Sequence, residues 1–261
     1  MHRRSSLFWG SVLIILAALL LLKQLQIIDD VFGFFWPVLV IALGVWMILS
    51  YYSRHKTVEG RLMSIPLEGA SSASIKLDHG AGKLELDSGA GYGEVLNGRF
   101  GNGLDYKSHL TGDRLEVKLR TPSQAWTWLP GESLDWEVHL NPSIPLSLKF
   151  DSGASSSILD LSDLKVTDLD INTGASKTEL TLPAKAGNTH VDIDTGASSL
   201  KINIPAGVSA SIRVKSGIAS VAIDARFPRV DDGLYQSPDY STASNRVDMM
   251  IDAGVGSIEI G

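Results

Sequence analysis

The sequence predicts an all-β, solenoid-like domain preceded by a two-helix transmembrane hairpin. Three observations carry this expectation. Two runs without a charged residue, Leu7 to Leu22 and Val31 to Leu49, stand near the start. From residue 148 a short pattern returns, with glycines at 153, 174, 196 and 217 and hence steps of 21, 22 and 21. Within each return, apolar and polar residues alternate with period two, as strands do.

The first run reaches the ~20 residues that hydrocarbon requires if it extends through Lys23, Gln24 and Gln26 to Ile28. Long polar side chains near its end snorkel to the interface. The second run holds Trp36 and Trp46; Pro37 kinks it without preventing a span. Only a few residues around Asp29 and Asp30 connect the two. Helices over about 7–28 and 31–50 therefore pair as a hairpin in a domain of residues 1–56. A cleaved signal peptide is the alternative, with Arg3 and Arg4 as its basic start. No small-x-small cleavage site follows, and the second run comes almost at once.

Loop charge gives an orientation. Arg3 and Arg4 precede the first helix, and Arg54 and Lys56 follow the second, while the connector is acidic. Taken as topology determinants, these four put both ends, and the β domain, in the cytoplasm of a multi-pass membrane protein.

Residues 57–261 form the second domain. Of 23 Lys and Arg, five lie in residues 1–56; of 29 Asp and Glu, two do, which leaves 18 basic and 27 acidic residues, a net of −9. Such a surface repels phosphate backbones, so nucleic acid is excluded as a partner. With no cysteine, disulfides, thiolate chemistry and a lipoprotein anchor are excluded too.

The repeats outrank other signals. Phe150-Asp151-Ser152-Gly153-Ala154-Ser155 returns as Ile171-Asn172-Thr173-Gly174-Ala175-Ser176, then Ile193-Asp194-Thr195-Gly196-Ala197-Ser198 and Val214-Lys215-Ser216-Gly217-Ile218-Ala219. Outlying copies centre on Gly80 and Gly254. The six glycines, Gly80, Gly153, Gly174, Gly196, Gly217 and Gly254, are expected at repeat turns that need backbone angles a Cβ forbids. One unit cannot bury its apolar stripe alone, so units stack as parallel rungs. Regular rungs are expected over about 148–224, with a last rung at about 247–260 after a long insertion at 226–246. Trp126, Trp128 and Trp136, with Pro122 and Pro130, are expected to cap the array; an aromatic ligand patch is the alternative.

Tempting motifs fail. Asp151-Ser152-Gly153 and Asp194-Thr195-Gly196 spell an aspartic-protease loop, but the carboxylate becomes Asn172 and Lys215 in sister repeats. Calcium β-rolls need a nine-residue period. Gly80-Ala81-Gly82-Lys83 and Gly89-Ala90-Gly91-Tyr92-Gly93 lack a phosphate loop's spacing and helix. The six histidines show no ligand spacing. No catalytic residue, metal or cofactor is implied.

Two segments resemble one known architecture. Phe8-Trp9-Gly10, with Phe35-Trp36-Pro37-Val38 through Gly44, resembles the LiaI–LiaF transmembrane region. Trp136 to Pro142, Gly153-Ala154-Ser155, Leu159 to Leu164, Tyr240 to Arg246 and Gly254 to Ile258 resemble the toast-rack domain of LiaF-like and adhesin-type proteins. The resemblance implies a non-enzymatic regulator or scaffold of the cell-envelope stress response. It would be anchored in the lipid bilayer, with a membrane sensor kinase as partner. An extracytoplasmic, adhesin-like surface solenoid is the alternative, and self-association through the end rungs stays open.

Overall fold

The computed structural model describes residues 61–122 and 134–261. The expected hairpin, the topology residues Arg3, Arg4, Arg54 and Lys56, and Trp126, Trp128 and Pro130 of the expected cap lie outside them. Among the described residues no helix is long and apolar enough to cross a membrane.

The described residues form thirteen strands in one sheet. In chain order they are β1 (Arg61–Pro66), β2 (Ser72–Ser88), β3 (Glu94–Phe100), β4 (Asp105–Thr111), β5 (Arg114–Arg120), β6 (Trp136–Leu140), β7 (Pro145–Asp160), β8 (Lys165–Thr181), β9 (Asn188–Asn203), β10 (Ser209–Ile223), β11 (Arg229–Asp231), β12 (Leu234–Gln236) and β13 (Arg246–Ile260). The long strands run parallel in the order β2-β7-β8-β9-β13-β10.

Each long strand has two halves. In β7, the buried apolar residues are Leu146, Leu148 and Phe150 before Gly153, but Leu159 after it, so the inward parity switches at the glycine. Leu77 with Leu84, and Phe150 with Leu159, line one small cavity from the two halves of their strands. The sheet is therefore folded along the glycine column, and both halves face a single core. That core is a set of ladders: Leu148, Leu169, Val191, Met249 and Ile212 on one wall, Leu180, Ile202 and Ile260 on the other. Burying each such side chain contributes about 1.5–3 kcal/mol. A bulge at Thr167 absorbs one extra residue against Leu146 and Ser147.

At the N-terminal end the stack divides. The first half of β2 pairs β5, which pairs β4; its second half pairs β6, which leads to β3 and β1. Trp136 of β6 is buried there, edge-on to Phe100 with centroids 5.3 Å apart. It closes the core and belongs to no exposed ligand patch.

The C-terminal end departs from the sequence expectation. Strand β13 does not extend the stack; it lies between β9 and β10, which are neighbours in sequence. The excursion through residues 226–246 includes β11 and β12, and β12 pairs antiparallel with the first half of β10. The physical reason lies in what the two strands can bury. β13 buries Val247, Met249, Ile251, Ala253, Ile258 and Ile260 and suits an interior place, whereas the second half of β10 buries nothing fully.

Candidate functional site

The six repeat glycines stand in one column, in the order 80, 153, 174, 196, 254 and 217. A Cβ on Gly174 would lie 2.8 Å from the Gly153 carbonyl oxygen, and one on Gly196 2.8 Å from that of Gly174. The same 2.8 Å approach links Gly153 to Gly80 and Gly217 to Gly254, and a closer one of 2.5 Å links Gly254 to Gly196. None of the six has a positive φ. These glycines thus serve close approach of neighbouring rungs, not unusual backbone angles, and the strands run through them. Gly256 is different: its φ is +143° and a Cβ there would sit 1.8 Å from the Ser198 carbonyl oxygen.

A shallow groove of about 560 Å³ follows the column, lined by Asp151, Asn172, Asp194 and Asp252 with the adjoining Ser152, Thr173 and Thr195. These side chains come from equivalent positions of four rungs. The hydroxyls bond to one another: Thr173 Oγ1 donates to Thr195 Oγ1 at 3.0 Å and lies 2.9 Å from Ser176 Oγ.

Charge along the outer face is graded. At the N-terminal rungs it is paired. Lys76 bridges Asp151 and Asp78, and Asp78 also meets Lys118 at 3.2 Å and Arg120 at 3.1 Å. Lys149 holds Asp170 at 2.5 Å. The hydrogen bond to Asp151 holds the Lys76 ammonium above its usual pKa, against the effect of desolvation and with help from Asp78. Desolvation works against the Asp151 carboxylate, but Lys76 and the Asn172 amide outweigh it and hold its pKa below the usual value. Further along, Asp192, Asp194 and Asp252 form no ion pair with any described residue, and Asp248 meets only the exposed His190, at 4.0 Å. The outer face of β9 and β13 before their glycines is therefore acidic.

This arrangement does not make a protease. Asp151 and Asp194 are two rungs apart, about 9.6 Å by strand spacing, with Asn172 between them. They cannot share a proton. Among the described residues no group of three or more His, Cys, Asp or Glu converges to hold a metal ion.

Residues 54–203, more than half of the chain, match the model of the N-terminal domain of toast_rack. The chain belongs to the toast_rack family. Its described rungs bring no catalytic cluster together. Residues 7–48 of this toast_rack protein match the LiaI-LiaF-like transmembrane region, which makes it membrane-associated. A search of curated proteins finds no match. Among solved structures, a candidate cell adhesion protein from Clostridium sporogenes superposes with a TM-score of 0.71 at 22% identity, covering 77% of this chain and 97% of that one. A candidate adhesin from Bacteroides fragilis aligns over the same shares at 8% identity, with a TM-score of only 0.26.

The Clostridium likeness shows the shared fold, and it conflicts with the cytoplasmic placement expected for the β domain. That placement is corrected and withdrawn. It rested on four cationic side chains in short flanks, whereas a long domain crosses a membrane largely regardless of its charge.

Sequence reasoning missed His79, which occupies the core beside Trp136 at 5.0 Å between ring centroids. Its Nε2 carries the proton and donates to the Leu134 carbonyl at 2.9 Å. Desolvation lowers its pKa, against the effects of Leu134 and Asp135. The lone His in an alternating strand is the available signal, since Ile75 and Leu77 already mark that face as inward.

Proposed function

We propose that this toast_rack protein is an adhesin-like surface protein, anchored by the hairpin and presenting its β rack outside the cytoplasm as a rigid contact module. The observation that carries this reading is the fold shared with the Clostridium cell adhesion protein over nearly all of that chain. The rack is built for such contact. Its ladders fix the outer face, and the groove along the glycine column offers carboxylates and hydroxyls in register. Reporter fusions at residue 60 and at the C terminus test the reading. Alkaline phosphatase active at both points supports it; a reporter active only in the cytoplasm overturns it.

The match of residues 7–48 to the LiaI-LiaF-like region favours a second reading. In it the rack modulates a membrane histidine kinase of the cell-envelope stress response. Deleting the β domain then changes stress-reporter output, and unchanged output under envelope stress counts against it.

A further inference from the structure

We propose that the second half of β10 is a self-pairing edge, and that two copies of this chain join there as an antiparallel, two-fold symmetric dimer. The hairpin strand β12 covers only Ser211 to Arg213 of β10, and the last bond on that side runs from the Val214 N–H to the Gly233 carbonyl at 2.8 Å. From Lys215 to Ile223 no described strand pairs the outer edge.

Edges are normally blunted by charge, proline or cover. The other open edges follow that rule: β1 ends in Pro66, and β4 carries Asp105, Lys107 and His109. The β10 edge inverts it. After their glycines, most interior rungs carry charge within seven residues, such as Lys83 and Glu85, Lys177 and Glu179, Lys201, and Glu259. The edge rung carries none from Gly217 to Ile223, a run that among the other rungs only the doubly paired β7 shares. Ile218 is 80% exposed and its ladder neighbour Val255 54%, where interior rungs place alanine in that column. The segment is uncharged, β-branched and free of proline, which suits it to strand pairing.

The geometry selects the register. The Asp224 N–H donates inward to the Ile260 carbonyl at 2.8 Å. Alternate residues of a strand present their main chain to opposite neighbours, and β10 pairs β13 without a shift from Ile218 to Ile223. Ala219, Val221 and Ile223 therefore aim their N–H and C=O groups outward. A two-fold axis through Val221 pairs Val221 with its twin and Ile223 with Ala219, large against small, on the core-facing side. Ser220 and Ala222 face each other on the solvent side. About six main-chain hydrogen bonds form in this register. Because the β domain is acidic overall, an uncharged edge is the place where two copies meet with least repulsion. A self-complementary patch of this kind closes as a dimer and does not propagate.

The chain has no cysteine, which makes the test direct. The full chain with Val221→Cys, reconstituted in liposomes, is oxidised and run without reductant. A disulfide-linked dimer is expected, whereas Ser199→Cys, on a mid-sheet face, stays monomeric. In the Val221→Cys background, Ser220→Lys with Ala222→Lys sets lysine opposite lysine across the axis, and cross-linking falls at least about tenfold. Ser220→Lys with Ala222→Glu sets lysine opposite glutamate and retains the cross-link. No cross-link at Val221, equal cross-linking in the lysine pair, or its loss in the lysine–glutamate pair would each overturn the proposal.

Discussion

Strands β9 and β10 carry the same repeat and follow one another in sequence, yet they occupy different surroundings. β9 lies between β8 and β13, with both edges paired from His190 to Ile202 and Val191, Ile193, Leu200 and Ile202 buried. β10 lies at the end, paired on both sides only in its first half, and beyond Gly217 its side chains are at best half-buried. The repeat motif thus specifies how a rung is built, and the neighbours decide how firmly it is held. Substitutions at matched positions should cost more in the interior than at the edge.

The largest difference is expected at the glycines. Gly256→Ala drives a Cβ into the Ser198 carbonyl at an unfavourable φ, and should cost more than about 4 kcal/mol. Gly174→Ala, wedged between two rungs, should cost about 3 kcal/mol. Gly217→Ala meets the same 2.8 Å approach, to the Gly254 carbonyl. In the monomer, where that edge is free, β10 can shift outward, and the cost should be about 1 kcal/mol. Urea unfolding of the full chain in detergent, followed by tryptophan fluorescence, measures all three. Equal costs for Gly174 and Gly217 would break the comparison.

Side-chain truncation should follow the same ranking with smaller steps. Ile193→Ala leaves a cavity between its ladder neighbours Ile171 and Ile251 and should cost about 3 kcal/mol. Ile223→Ala, at the half-buried end of β10, should cost under about 1 kcal/mol. A calorimetric pair, measured on the monomer, that reverses this order would contradict the ranking of interior over edge.

The rung pattern is legible in the sequence because three periodicities coincide: the period-two alternation, the glycine spacing and the alanine after four of the six glycines. The order of the rungs is not. The copy around Gly254 looks the same whether it ends the stack or enters it, since parallel neighbours make no mark on a strand's own sequence. The reason for the glycines is hidden as well. A glycine needed for a turn and one needed for close approach are identical letters, and only the carbonyl of the adjoining rung distinguishes them. The protease-like loop can be set aside on sequence, because Asn172 and Lys215 occupy the carboxylate's place. The exposed step at Val255 and Ile218 is visible as a break in an alanine column, but its meaning depends on which rung is outermost.

A smaller effect separates the two ends of the rack by pH. His79 lies near the N-terminal end, buried and with its pKa lowered from 6.5. As pH falls through about 6.5, the unfolded chain binds a proton that the folded chain resists. The contribution of neutral His79 to stability is therefore complete above that pH, and is lost progressively until the folded pKa is reached. Urea midpoints at pH 7.5 and 5.5 should differ more in the wild type than in His79→Gln. An unchanged difference would mean that His79 does not set the pH response. The smallest effect belongs to the outer face, where Lys76→Met should cost under about 1 kcal/mol and less at high salt.

The order of the rungs is tested most directly by paired cysteines in this cysteine-free chain. Ser257 and Ser199 lie side by side, with their Oγ atoms 3.3 Å apart, while Ser220 pairs with Ser257 and stands one rung further from Ser199. Mild oxidation should close a disulfide within one chain for Ser199→Cys with Ser257→Cys, and none for Ser199→Cys with Ser220→Cys. The reverse result would place β10 directly against β9 and contradict the folded stack described above.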